Sequence, residues 1–73
     1  MRVKLFRARQ RCFDGAAAAV VLPGEDGEVT VLDFHAPMLC TLSKGDVIVD
    51  EAAFPVQGGL ARVARNVVTI IAR

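Results

Sequence analysis

Few side chains in this 73-residue sequence belong to the types that make or break bonds. The single histidine, His35, follows Asp33 by two positions, a pairing that could serve acid–base or metal chemistry. A zinc site needs four ligands, however, and no further partners cluster with this pair. Ser43 is the only serine and stands beside Lys44 and Gly45 in a turn-like stretch, where a nucleophile would need a neighbouring base that the sequence does not place. Pro23-Gly24-Glu25-Asp26-Gly27 is glycine-rich, but it lacks the Lys-Ser/Thr of a phosphate loop and carries two acids that would repel phosphate, so it reads as a hairpin turn. Cys12 and Cys40 lack C-x-x-C spacing and read as two free thiols packed as small hydrophobes. No catalytic residue, metal ligand or cofactor is expected.

The elements that would position these groups have the periodicity of strands. Val3 and Leu5 alternate with Arg2 and Lys4, and Val29 and Val31 alternate with Glu28 and Thr30. Met38, Cys40 and Leu42 share one face while Leu39 and Thr41 share the other; Val47 and Val49 flank Ile48. Val67 to Ile71 is a nearly continuous β-branched run, suited to a strand buried on both faces. Turn signals stand at Asp14-Gly15, Pro23 to Gly27, Ser43 to Asp46, Asp50-Glu51, Gly58-Gly59 and Arg65-Asn66. Ala16 to Ala19 has helical propensity, but four alanines are too few to nucleate a helix and they lead into Val20-Val21-Leu22, so the segment reads as one strand. Short strands between frequent turns predict an all-β sandwich or barrel, mostly antiparallel, as a single domain over residues 1–73. A chain this short rarely houses a deep active site, which favours a binding or structural role.

Charge is unevenly distributed. Arg2, Lys4, Arg7, Arg9 and Arg11 fall in the first eleven residues, whereas Cys12 to Ser43 contains no Lys or Arg but does contain Asp14, Glu25, Asp26, Glu28 and Asp33. The net charge is only +1; with the acidic centre and no stacking aromatics it argues against nucleic-acid binding. The acidic middle suits a basic partner loop. No uncharged stretch exceeds the ten residues of Gly15 to Gly24, half of what a membrane-spanning helix needs. The charged start does not read as a signal peptide, which places the chain in the cytoplasm or on the cytoplasmic face of a membrane.

Six pieces occur in order along the sequence: Phe13-x-Gly15, Pro23-Gly24-Glu25-Asp26-Gly27-Glu28, His35-Ala36-Pro37-Met38-Leu39, Leu42-x-Lys44-Gly45, Phe54-x-Val56-x-Gly58-Gly59 and Asn66-x-Val68-Thr69. Together they resemble the N-terminal β-sandwich of the epsilon subunit of F-type ATP synthases, from Val3 to Ala72. The resemblance implies a small, flattened two-sheet sandwich at the foot of the central stalk. It implies a non-catalytic rotor subunit that binds the gamma subunit and rests on the polar loops of the membrane c-ring, so that stalk and ring turn together during ion-coupled ATP synthesis. Glu28 matches the family's acidic position against the basic c-ring loops, and His35 matches the histidine before Ala-Pro near the same contact. Glu25, Asp26 and Phe34 are expected beside them. Gly15, Gly24, Gly27, Gly45, Gly58 and Gly59 are expected at turns, with Pro37 setting the entry to the next strand.

The sequence departs from the family pattern at Leu32-Asp33-Phe34-His35, where a Pro-Gly turn is usual and where Phe34 adds an apolar side chain. It also departs at Ala16 to Ala19, where charged residues are usual, and at Asp50 to Phe54, which is shorter. The family continues beyond the position of Arg73 into a helical hairpin that inhibits ATP hydrolysis; neither that inhibition nor the regulatory nucleotide site of some members is implied here. The competing reading is a stand-alone β-sandwich adaptor outside the synthase.

Overall fold

The computed structural model describes residues 1–73. Seven strands follow one another: β1 (Arg2–Arg7), β2 (Gln10–Ala16), β3 (Ala19–Gly24), β4 (Gly27–Leu32), β5 (Met38–Val49), β6 (Ala52–Ala64) and β7 (Val67–Ala72). They form one hydrogen-bonded sheet in the order β2-β1-β7-β6-β5-β3-β4. All neighbours are antiparallel except β1 and β7, which run parallel with Arg2 opposite Val67 and Arg7 opposite Ala72.

A single creased sheet supplies the two layers expected of a sandwich. Seven strands about 4.8 Å apart would make a flat sheet about 29 Å across and about 10 Å thick. The molecule instead measures 26 × 25 × 20 Å, two layers deep. The crease falls where β5 and β6, 12 and 13 residues long, cross from one layer to the other. On β6, Gly58 and Gly59 take φ of 120° and 143°, values that side-chain-bearing residues avoid. A Cβ on Gly59 would also lie 2.3 Å from the Ile71 carbonyl oxygen. On β5, Ser43 falls between the pairs Leu42↔Gly59 and Lys44↔Gln57, and its hydroxyl donates to the Pro23 carbonyl at 3.1 Å. Val3, Leu5, Ala61, Val63, Val68 and Ile70 from one layer therefore meet Val20, Leu22, Val31, Val47 and Val56 from the other, in one core cluster. Each fully buried Val, Leu or Ile contributes about 1.5–3 kcal/mol. The accessible surface is 4566 Å², close to the roughly 4,400 Å² that size scaling predicts for a compact chain of this mass.

The strand alternations read from the sequence are present, with Val3 and Leu5, Val47 and Val49, and Leu42 directed inward. Several readings need correction. Ser43 to Asp46 and Gly58-Gly59 are bends inside long strands rather than chain reversals, so β5 and β6 are not short. Asp14-Gly15 lies within β2, and Gly15 and Gly45 occupy strand positions rather than turns; Gly45 accommodates Pro23, whose Cβ would stand 2.9 Å from an added Cβ. Ala16 to Ala19 is not continuous strand. β2 ends at Ala16 and β3 starts at Ala19, and Asp50 holds the break by accepting the Ala18 and Ala19 amides at 2.9 and 3.1 Å. β7 is buried on one face only, with Ile71 62% exposed; β-branching sets strand propensity but not the number of covered faces.

The true turns are tight. Arg65-Asn66 and Ala8-Arg9 each carry two left-handed residues, the geometry of two-residue hairpins that follow strand twist. The second of these had no glycine or asparagine to announce it.

Candidate functional site

The β3–β4 hairpin turns at Glu25-Asp26, between the paired residues Gly24 and Gly27. Gly24 is required by close approach: a Cβ there would stand 2.6 Å from the Gly27 carbonyl oxygen and 3.2 Å from Cys40 Sγ. The hairpin tip leans on the first half of β5, where the Glu25 amide donates to the Thr41 carbonyl at 2.9 Å. Between tip and strand lies a groove of about 390 Å³, walled by Gly24 to Val29 and by Met38 to Thr41. Glu25, Asp26 and Glu28 make its hairpin side acidic, and Val29, Met38, Leu39 and Cys40 supply its apolar lining. Glu25, Asp26 and Glu28 are exposed, and none forms an ion pair; the carboxylates that do are Asp14, with Arg2 and Arg11, and Asp33, with the Met1 amino group. Cys40, half-buried in the groove, has its thiol pKa raised by burial first and then by the charges of Asp26 and Glu25.

Phe34 and His35 do not join this groove. Glu28 lies near one end of β4 and the Asp33 to Pro37 loop follows the other, about 13 Å of extended backbone apart at about 3.3 Å per residue. Phe34 is 83% exposed and left-handed, with φ of 62°, because its amide donates to Asn66 Oδ1 at 2.8 Å. His35 places Nδ1 2.7 Å from the Ala36 carbonyl oxygen, while Asp33 turns to Met1; the imagined His–Asp pair does not form. No group of three or more His, Cys, Asp or Glu side chains is placed to hold a metal ion. Pro37 stands immediately before β5. Of the expected contact residues, Glu25, Asp26 and Glu28 line the groove, whereas Phe34 and His35 lie in the separate β4–β5 loop.

A second exposed surface escaped the sequence reading. On the outer side of the β5–β6–β7 layer, Leu60 pairs with Ile71, and with Leu39, Arg62 and Thr69 they line one shallow depression. Leu39 and Ile71 are 69% and 62% exposed. The clue was present in the alternation that set Leu39 opposite to Met38 and Cys40, but Ile71 sat in a run read as wholly buried.

The whole chain, residues 1–73, matches the family model described as the ATP synthase, Delta/Epsilon chain, beta-sandwich domain. It is 38% identical over 79 residues to the ATP synthase epsilon chain of Janthinobacterium sp. (strain Marseille), covering 99% of this chain and 56% of that protein. To the epsilon chain of Stenotrophomonas maltophilia (strain K279a) it is 35% identical over 77 residues, covering 99% and 55%. The chain thus spans about half the length of the curated relatives it matches. Among solved structures it superposes with a TM-score of 0.87 and 25% identity on a chain of the Euglena gracilis mitochondrial ATP synthase OSCP/F1/c-ring, covering 96% of this chain and 48% of that one. A chain of the Tetrahymena thermophila mitochondrial ATP synthase central stalk/c-ring shares the fold, with a TM-score of 0.78 at 19% identity, covering 99% and 62%. By the match along its entire length, the chain belongs to the ATP synthase delta/epsilon-chain β-sandwich family.

Proposed function

We propose that this chain acts as the docking sandwich of a central-stalk subunit in an F-type ATP synthase, without chemistry of its own, fastening the gamma subunit to the membrane c-ring. The observation that carries the reading is the β3–β4 hairpin, where three exposed carboxylates lack any cationic partner within the chain. Such a hairpin favours a basic loop on a partner and gives orientation and speed of encounter. The exposed Leu39, Leu60 and Ile71 face offers a second, apolar contact, assigned to gamma. Dense β packing between the two surfaces makes the domain stiff enough to transmit torque. The chain then sits at the face of the membrane through its complex; no helix is long and apolar enough to cross a membrane.

The test is Glu28→Lys in the assembled synthase, read by retention of the subunit on purified c-ring and by proton-coupled ATP synthesis. Loss of both at low salt is expected, and unchanged retention would overturn the c-ring contact. For the adaptor alternative, a tagged chain is recovered from native membranes: alpha, beta and gamma subunits in the eluate eliminate it, and their absence removes the rotor reading.

A further inference from the structure

Thr41 turns its carbonyl away from β6, toward the Glu25 amide. Backbone direction along a strand repeats every two residues, so the N–H and C=O of Leu39 point the same way. β3 has no ladder partner on β5 before Leu42, and both Leu39 groups open into the groove beside the β3–β4 hairpin. Met38 to Thr41 spans about 10 Å at about 3.3 Å per residue, with the Thr41 carbonyl already taken by Glu25 and the Leu39 pair left open. The facing wall carries Glu25, Asp26 and Glu28.

From these two observations we infer that the groove receives an extended, cation-bearing protein segment as an added strand. A partner amide and carbonyl pair with Leu39 while its Arg or Lys side chain reaches the unpaired carboxylates. A polyamine would satisfy the charge but not the Leu39 backbone, and a nucleic acid would be repelled by the acidic hairpin side. The inference rests on the docking reading above and deepens it by specifying the backbone conformation of the docked segment.

The test uses the acetylated, amidated peptide Val-Arg-Val-Arg-Val, titrated into the chain at low salt and followed by amide NMR. Two variants accompany it, one N-methylated at the central valine and one with both arginines replaced by glutamine. Binding is expected to slow exchange of the Leu39 amide, to weaken about tenfold on N-methylation, as loss of one backbone pairing implies, and to weaken further without the arginines. In Leu39→Pro, which removes a donor that β6 does not use, the unmodified peptide should itself bind about tenfold more weakly, because the residue-39 N–H no longer donates to the peptide carbonyl. Equal affinity of the N-methylated peptide, or no binding of any peptide, overturns strand addition. If Glu28→Lys nevertheless releases the subunit from the c-ring, the docking reading survives that failure; if Glu28→Lys leaves the assembly intact, both fall.

Discussion

The two edges of the sheet carry hairpins of similar construction and opposite charge. In β1–β2 three of the five cations are engaged within the chain: Asp14 accepts Arg2 at 2.8 Å and Arg11 at 3.4 Å, and the Arg7 guanidinium donates to the Pro55 carbonyl. Phe13 stands edge-on to Phe54 with ring centroids 5.8 Å apart, tying β2 to the opposite layer. A register shift between Leu5 and Phe6 also distorts this edge, a feature that blunts pairing with other chains. In β3–β4 the carboxylates at the tip engage nothing. One edge is fastened to its own fold, and the other is left available. Sequence charge alone made the two look equivalent, and the partners of each charge distinguish them.

That comparison predicts that substitutions at the acidic hairpin weaken docking while those at the basic hairpin weaken folding. The largest effect is expected from combining Glu25→Lys, Asp26→Lys and Glu28→Lys. Retention on purified c-ring should drop about 100-fold, as several like-charge contacts imply, with the urea midpoint almost unmoved. A large stability loss instead would show the acidic hairpin to be structural. Phe13→Ala is expected to cost about 2 kcal/mol in chemical denaturation, less than a fully buried Phe because the ring is half-exposed, and to leave docking intact. Asp14→Ala removes the shared partner of two arginines. Because both guanidiniums are largely solvated, about 1 kcal/mol or less is expected, and raising salt should shrink the difference.

The smallest effect concerns Cys40, which reports on the unpaired acids. Maleimide should label Cys40 more slowly than a free cysteine at the same pH, and Glu25→Gln with Asp26→Asn should speed it only a few-fold, because burial is the larger cause. The folded thiol holds its proton to higher pH than the unfolded one. Its contribution to stability is therefore complete below the ordinary thiol pKa and declines as pH rises through the raised value. Labelling that ignores both substitutions would separate Cys40 from the hairpin's field.

Much of the fold was legible because strand period and apolar alternation are local. Each inward residue of β1 and of the second half of β5 could be named from its neighbours. Glycine signals were less informative. Gly24 and Gly27 mark a reversal, whereas Gly58 and Gly59 mark a crease within β6, and the same residue type serves both because it answers only to local backbone conformation. Which outcome follows depends on whether another strand lies across from it. Asp50 and Asn66 were read as turn residues, yet their side chains reach Ala18, Ala19 and Phe34, contacts between segments about 30 residues apart in sequence.

By itself, then, the sequence determined the β class, the inward faces of most strands, the acidic β3–β4 hairpin and, through ordered motifs, the family. These rest on local periodicity, composition and residue order. Only the tertiary structure decided that Leu39, Leu60 and Ile71 share an open face, and that the acids at one hairpin tip stay unpaired while Arg2, Arg7 and Arg11 at the other edge find partners. Those outcomes depend on which strands become neighbours when a single sheet creases, and strand pairing across the chain is carried by long-range burial and hydrogen bonding that no short window of residues contains.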